Sequence, residues 1–277
     1  MILIVEELLK TNQALIQEID QTQLDGQSAA FWWIGQMGFV VKIGQRILYF
    51  DPYLMPRETR LVVPLLKPEE ICHAGWVFGT HAHSDHIDKF AIPGIASASP
   101  QARFVCSRVN TSLLTGLGVA AQRIIGLDEG IVYEEEGLKI SAIPAQHETF
   151  DRHPEMGYPY LCFIVECAGL TLLHMGDTLK YDGISARLAQ WKFDIVFLPI
   201  NGRDAERLAR RCYGNMTYQE AVDLAGDLQP GLTVPGHYDM FANNSEDSHK
   251  FTRYMDVKFP GLKYWVGKHG EAVVYKK

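Results

Sequence analysis

The chain has 277 residues, of which 47% are hydrophobic, and this suits one large domain with an ample core. Its formal net charge is -7 and it contains no long basic run, so a phosphate-neutralising surface for nucleic acid is not expected. No stretch approaches the roughly 18 apolar residues that span a bilayer. The five cysteines are scattered and form no C-x-x-C pair, which is typical of reduced thiols. We predict a cytoplasmic protein with neither a membrane nor a nucleic-acid partner.

Residues 1–29 differ in character from the rest of the chain. Their apolar residues recur at near-helical spacing among Glu, Lys and Gln, which predicts a helix. We therefore predict an N-terminal helical extension over residues 1–29, lying against the main domain of residues 30–277 or against a partner subunit. The pattern leaves open whether the chain forms a homo-oligomer. The apolar positions are Leu8, Leu9, Leu15, Ile16 and Ile19.

From residue 30 onward, short apolar runs are separated by glycines, a pattern typical of strands. A meander is predicted over residues 31–50, and the runs 160–167 and 170–175 pair naturally across a turn. Later, Thr217 and Glu220 form a capping box, which predicts a helix through about Asp227. Further strands are predicted at residues 102–106, 139–143, 195–198 and 232–234. This mixture of strands and helices favours a single α/β domain.

The segment from Thr80 to His86 is the most informative motif. It contains three histidines and an aspartate directly after the apolar run 75–79, which is typical of a short buried strand. His81 and His83 are two residues apart, so both side chains can face one metal ion on an extended or tightly turned backbone. Asp85 and His86 follow at once and can reach a second metal ion nearby.

This motif, His81-Ala82-His83-Ser84-Asp85-His86, resembles the H-x-H-x-D-H signature of the metallo-β-lactamase superfamily. The resemblance covers nearly all the chain from about residue 30 onward. Within the superfamily, the segments 31–35, 174–177 and 215–217 look most similar to the branch that contains L-ascorbate-6-phosphate lactonase. The resemblance implies an αββα sandwich with a one- or two-metal site at one edge.

Three further candidate ligands, His147, Asp177 and His237, stand just past predicted strands. The resemblance implies that they complete the site and that Asp177 bridges two metal ions. On this basis the first ion is held by His81, His83 and His147, and the second by Asp85, His86 and His237. His153, on the same loop as His147, is a competing ligand. The strand alternation sends His174 to the face opposite Asp177, where we expect a packed histidine.

The expected cofactor is a pair of divalent metal ions. Two cations that share a water lower its pKa towards neutrality, and a bridging carboxylate offsets part of their charge. An all-nitrogen-and-oxygen ligand set suits zinc, manganese or iron, and the resemblance to the lactonase favours manganese. Asp51 ends a predicted strand and is expected to orient a ligand histidine, although a turn-capping aspartate fits the same position.

Candidate substrate contacts follow the run 195–198. Arg203 stands just after the strand end at Asn201 and is the predicted contact for an anionic group, because a guanidinium suits bidentate phosphate binding. The interleaved Asp204 and Glu206 favour instead a solvated helix face for this segment. Asn201 and Tyr238 are predicted to contribute to the substrate pocket.

We therefore predict a metal-dependent hydrolase, a lactonase acting on a small anionic substrate such as a phosphorylated sugar lactone. Asp85 is the predicted catalytic residue, which orients the attacking nucleophile. The first alternative is a phosphodiesterase that uses the same two metal ions on a small phosphodiester. The second alternative is a non-catalytic metal-binding protein on the same scaffold.

Overall fold

The computed structural model describes residues 10–147 and 149–277. The sequence-based expectations for Leu8 and Leu9 lie outside these residues. In chain order the strands are β1 (Ser28–Gly35), β2 (Gly38–Ile43), β3 (Arg46–Phe50), β4 (Trp76–Gly79), β5 (Arg103–Ser107), β6 (Ile124–Leu127), β7 (Tyr133–Glu135), β8 (Leu138–Pro144), β9 (Leu161–Cys167), β10 (Leu170–His174), β11 (Ile195–Pro199), β12 (Leu232–Gly236) and β13 (Val273–Lys276).

Helices connect these strands or cover them. They are α1 (Asn12–Gln21), α2 (Ala91–Ala98), α3 (Thr111–Gly116), α4 (Ile184–Leu188), α5 (Ala205–Ala209), α6 (Tyr218–Leu228) and α7 (Ser248–Lys258). Short 3-10 turns occupy Pro68–Glu70, Arg108–Asn110 and Ala121–Arg123. Among the described residues, no helix combines the length and the apolar character that crossing a bilayer requires.

The strands form two mixed sheets. The seven-stranded sheet has the order β13-β1-β2-β3-β4-β5-β6, and the six-stranded sheet has the order β12-β11-β10-β9-β8-β7. The predicted meander of β1, β2 and β3 is antiparallel, as is the predicted hairpin of β9 and β10. From β3 to β6 and from β10 to β12 the pairing is parallel, so several carboxyl ends of strands meet at one edge.

The two faces of β1 explain why this strand is buried along its whole length. Phe31 and Trp33 point into the core between the sheets, together with residues such as Phe197 of β11. Ala30 and Trp32 point to the other side, where a second apolar cluster includes α1 and α2. A strand that is covered on both faces is apolar at every position rather than alternating. These layers confirm the predicted αββα sandwich.

Helix α1 packs against the main sheet. Leu15, Ile16 and Ile19 are buried in the cluster that includes Trp32. The buried Lys42 donates from Nζ to the carbonyls of Ile19 and Asp20, at 2.8 and 2.7 Å, and so satisfies acceptors at the end of the helix. The division at residue 30 stays a prediction, and β1 already begins at Ser28.

Strand β13 is an edge strand of the seven-stranded sheet and pairs antiparallel with β1. The hydroxyl of Tyr275 donates to Asp194 Oδ1 at 3.2 Å, and Lys277 Nζ donates to Asp194 Oδ2 at 3.0 Å. Asp194 directly precedes β11 of the six-stranded sheet. This segment therefore pairs with β1 in one sheet and contacts the start of β11 in the other sheet through its side chains.

Candidate metal centre

The predicted site residues lie on loops that follow strand ends. Asp51 directly follows β3, the motif 81–86 follows β4, and His237 directly follows β12. His147 and Asp177 follow β8 and β10. Within the motif, the amides of His86 and Ile87 donate to the carbonyl of His83 at 3.1 and 2.9 Å, which folds the segment into a tight turn. The structure thus brings the predicted ligands together from separate parts of the chain.

The candidate ligands form overlapping groups, in each of which the ligand atoms lie within 4.8 Å of one another. His81 Nε2 and His83 Nδ1 are 2.9 Å apart and belong to the group that His147 completes. The other groups are His81, His86 and Asp177, and Asp85, His86 and His237. The partition of ligands implied by the resemblance therefore coincides with two of these groups.

Asp177 occupies the centre of the cluster. Its Oδ1 is 3.3 Å from His86 Nε2, and its Oδ2 is 3.3 Å from His237 Nε2 and 3.6 Å from His147 Nε2. On the far side, Asp85 Oδ2 is 3.5 Å from His237 Nε2 and 3.7 Å from His86 Nε2. One carboxylate thus faces both histidine groups, which is the position that a bridging ligand requires.

Buried charges in this cluster strongly affect one another. Burial alone would raise the pKa of Asp177, but His237 and His86 outweigh burial and hold that pKa well below its ordinary value. Burial alone would lower the pKa of His237, but Asp177 and Asp85 raise it to about 10. At the other side of the cluster, burial lowers the pKa of His81 and His147. The Asp177 carboxylate is therefore ionised, and His81 and His147 favour the neutral form in which an imidazole binds a metal ion.

The contacts between donor atoms fit a shared cation better than a hydrogen-bonded network. His86 Nε2 and Asp177 Oδ1 are buried and have no hydrogen-bond partner among the described residues, although they are 3.3 Å apart. Ligand atoms of one metal ion approach each other without bonding in this way. The donors are imidazole nitrogens and carboxylate oxygens, a set that suits zinc, manganese or iron.

Asp51 contacts the candidate ligand His86 at the ring nitrogen that does not face Asp177. His86 Nδ1 lies 2.6 Å from Asp51 Oδ2, and both side chains are fully buried. Thr80 donates to the same carboxylate from its amide and its hydroxyl, each at 2.8 Å. A carboxylate on Nδ1 leaves Nε2 of His86 directed at Asp177, which is the contact expected of a residue that orients a metal ligand.

The backbone around the cluster is held in an unusual conformation. Asp51, His237 and Gln36 all have positive φ angles, of 41°, 60° and 53°. Such conformations are uncommon outside glycine and often occur at functional sites. Gly176 also has a positive φ, and a Cβ atom there would lie 2.7 Å from Thr80 Oγ1. Glycine therefore allows the loop of Asp177 to approach the motif of the opposite sheet.

Two cavities open over the cluster, and Asp85 and Asn244 line both of them. The metal-side cavity has a volume of about 360 Å³ and is also lined by His83, His147, Asp177, Arg211, Tyr213 and His237. The Arg57-side cavity has a volume of about 320 Å³ and is also lined by Gln36, Tyr53, Arg57, Thr59, Ser84, Cys212, Phe241 and Asn243. Each cavity thus carries one arginine, and neither of them is Arg203, the arginine that the sequence favoured.

The residues that the sequence predicted as substrate contacts do not line either of these two cavities. Arg203 is not among the lining residues of either cavity, and its guanidinium pairs with Glu220, with Nη2 at 2.7 Å from Oε1. Asn201 donates to Asn244 at 2.9 Å, so it contacts a residue of the cavity walls. Tyr238 is buried against Trp33, with ring centroids 4.8 Å apart. These roles stay predictions.

Two histidines outside the cluster, His153 and His174, also have defined positions. His153 is exposed, and its Nδ1 accepts from the amides of Glu155 and Met156, so it does not compete with His147 for the cluster. His174 is buried as expected. Its Nε2 lies 2.7 Å from the carbonyl oxygen of Met37, and its ring stacks on Phe50.

The fold and this centre define a metallo-β-lactamase sandwich with a candidate site for a pair of metal ions. Residues 46–238 match the model of the beta-lactamase superfamily domain, and the chain belongs to that superfamily. The similarity to the lactonase branch within it stays a prediction.

Known relatives are distant but similar along most of their length. A UPF0173 metal-dependent hydrolase of Thermococcus kodakarensis is 27% identical over 229 residues, which is 82% of this chain and 92% of the relative. Among solved structures, the metallo hydrolase Igni18 of Ignicoccus hospitalis has a TM-score of 0.71 at 23% identity, over 91% of this chain and 100% of that one. An isothiocyanate hydrolase from Delia radicum gut bacteria has a TM-score of 0.69 at 17% identity, over 88% and 98%. These structures establish the common fold.

Proposed function

We propose that the chain is a metal-dependent hydrolase that opens a lactone, or cleaves a related ester-like bond, in a small anionic substrate. The observation that carries this proposal is the position of Asp177 between the histidine groups, at the wall of a cavity that also contains Arg211. Support comes from the Thermococcus kodakarensis relative, whose name describes a metal-dependent hydrolase. We assign the metal ligands to His81, His83, Asp85, His86, His147, Asp177 and His237.

The chemistry divides between the metal ions and the side chains. Two divalent cations, when bound, lower the pKa of a shared water and polarise the bond to be cleaved. Asp85 is ionised, because His86 and His237 outweigh burial and hold its pKa far below the ordinary value. Its carboxylate lines both cavities and can therefore accept a hydrogen bond from the attacking water and orient it.

The anionic group of the substrate is assigned to Arg211 rather than to Arg203. Arg211 lines the metal-side cavity, is exposed, and has a φ of 58° in the turn directly after α5. Arg203 is neutralised by Glu220. Among the described residues Arg211 has no carboxylate partner, so its guanidinium is available to bind a substrate phosphate or carboxylate. Asn201 would act on the substrate through its hydrogen bond to Asn244.

A panel of substrates tests the proposal. Protein loaded with Mn²⁺ or Zn²⁺ is assayed with a phosphorylated sugar lactone, the same lactone without phosphate, and bis(p-nitrophenyl) phosphate, with Asp177→Ala as the control. We expect the fastest turnover with the phosphorylated lactone and none with the variant. Selective cleavage of the diester would support the phosphodiesterase alternative, and rapid cleavage of RNA with no activity on small molecules would contradict a small substrate. Metal binding without any turnover across the panel would favour the non-catalytic alternative.

A further inference from the structure

Gln36, in the turn between β1 and β2, is an unexplained polar residue beside the candidate metal centre. Its side chain is 1% exposed, and it lines the Arg57-side cavity. Its amide nitrogen donates to Asp85 Oδ2 at 2.9 Å and lies 3.4 Å from His237 Nε2. The amide group of Gln36 therefore lies beside the candidate metal-binding atoms of Asp85 and His237. These are two of the three side chains in the group that His86 completes.

The oxygen of the Gln36 amide, unlike its nitrogen, has no partner. Gln36 Oε1 is buried and has no hydrogen-bond partner among the described residues. A buried acceptor without a partner is unfavourable, so the presence of a glutamine at this position requires an explanation. The terminal torsion of a glutamine is soft and roughly two-fold, so a half-turn exchanges the positions of nitrogen and oxygen. After that half-turn the unpartnered oxygen would occupy the place beside Asp85 and His237.

The backbone fixes Gln36 in this place. Its carbonyl accepts from Trp33 Nε1 at 2.9 Å and from the amide of His237 at 2.9 Å. These two bonds hold the residue at its φ of 53°, a conformation that few residues other than glycine adopt. The same carbonyl thus ties the turn directly to the backbone of a candidate metal ligand, so the Gln36 side chain and His237 keep a fixed spacing.

We propose that Gln36 is a metal-site residue whose carboxamide oxygen is a further ligand for a divalent cation at the Asp85, His86 and His237 group. When the cation is absent, the amide presents its N–H to the Asp85 carboxylate. When the cation is bound, the amide presents its oxygen, a hard ligand of the kind that manganese accepts readily. The inference rests on the metal centre of the proposed function, but it requires no substrate.

The test compares two substitutions that differ in what they offer a cation. Gln36→Leu removes both the N–H donor and the oxygen acceptor of the amide and leaves a side chain of similar size. Gln36→Glu removes the N–H donor to Asp85 but supplies a carboxylate oxygen. Mn²⁺ binding to the full chain is measured by calorimetry and by electron paramagnetic resonance. His83→Ala identifies the binding step that belongs to the other group, and Gln190→Leu, on the exposed turn after α4, serves as the matched control.

A ligand role predicts that Gln36→Leu weakens Mn²⁺ binding at the Asp85 group about 10- to 100-fold, the range known for residues that support metal sites. Gln36→Glu should bind as tightly as the wild type or more tightly. A residue that only positions Asp85 predicts the opposite order, because a second carboxylate would repel Asp85. Unchanged binding in Gln36→Leu, or weaker binding in Gln36→Glu than in Gln36→Leu, would overturn the proposal. If Gln36→Leu fails to fold, the Mn²⁺ affinity of Gln36→Glu is compared with that of the wild type. Equal or tighter binding supports the ligand role, and weaker binding overturns it.

Discussion

Asp51 and His86 are in contact at 2.6 Å, and both side chains are completely buried. Asp51→Asn keeps an acceptor for the Thr80 amide but removes the charge that holds Nδ1 of His86. We expect metal affinity at the Asp85, His86 and His237 group to fall by about 10- to 100-fold. Calorimetric titration with Mn²⁺ measures the change. Asp247→Asn, at the start of α7, is the control, because asparagine caps a helix as well as aspartate does. Equal affinity in both variants would show that Asp51 is only a turn residue.

Asp177 is predicted to be essential for both metal ions. Elemental analysis of wild-type protein prepared without chelator should approach two metal equivalents per chain. Asp177→Ala should lose metal from both positions and abolish hydrolysis, whereas His83→Ala should lose metal mainly from its own group and also abolish hydrolysis. Because the ligands lie on loops at a sheet edge, far-ultraviolet circular dichroism should be unchanged. A reconstituted wild-type protein with no bound metal, or a variant with most of its turnover, would contradict the assignment.

Arg211 and Arg203 form a matched pair for testing anion recognition. Arg211→Ala should raise KM for a phosphorylated lactone by about tenfold or more, since a hydrogen bond to a charged group contributes roughly 1.5–3 kcal/mol. The unphosphorylated analogue should be little affected. Arg203→Ala should leave both KM values near the wild type, because its guanidinium is already paired with Glu220. Steady-state kinetics on both substrates separates the two arginines, and the reverse result would restore Arg203 as the anion contact.

His73 should make stability depend on pH, at a site remote from the metal centre. Its Nε2 lies 2.6 Å from the Tyr49 hydroxyl and its Nδ1 lies 2.6 Å from Asp20 Oδ1. Burial lowers the pKa of His73 from 6.5, Asp20 partly opposes this shift, and Lys42 adds to it. The unfolded chain therefore binds a proton more readily than the folded one, so the free energy of unfolding decreases as the pH falls below about 6.5.

Urea denaturation of wild type and His73→Gln at pH 7.5 and pH 5.5 measures this contribution. Other carboxylates and histidines also titrate in this window, so the difference between the two proteins is the relevant quantity. The wild type should lose more stability on acidification than the variant does. An equal loss in both proteins would show that the contact with Asp20 cancels the effect of burial.

The sequence predicted much of the fold, and it indicated one continuous part of the candidate metal centre, because these features depend on local patterns. The motif 80–86 is a continuous segment, and the capping box at Thr217 lies within one helix turn, with both of its hydrogen bonds present in α6. The assignments of His147, Asp177 and His237 depended on the resemblance, since spacing alone relates none of them to His81.

Gln36 and Asn244 were missed, because an amide has no ligand signature and only the tertiary fold brings both residues to the site. The sequence predicted Arg203 rather than Arg211 as the anion contact, because a sequence pattern does not show the direction in which either side chain points. Arg203 precedes α5 and pairs with Glu220 in the first turn of α6, a contact that no local pattern indicates.

The pairing of β13 with β1 has a consequence for solubility. All residues of β1 are buried, and the first half of the strand, Ser28 to Phe31, pairs with Val273–Lys276. A chain shortened before β13 would present β1 as a long, flat and apolar edge, which is a template for adding strands from another molecule. The contacts of Tyr275 and Lys277 with Asp194 make that edge harder to open in the intact protein. We therefore expect β13, which carries none of the candidate ligands, to protect the protein against aggregation.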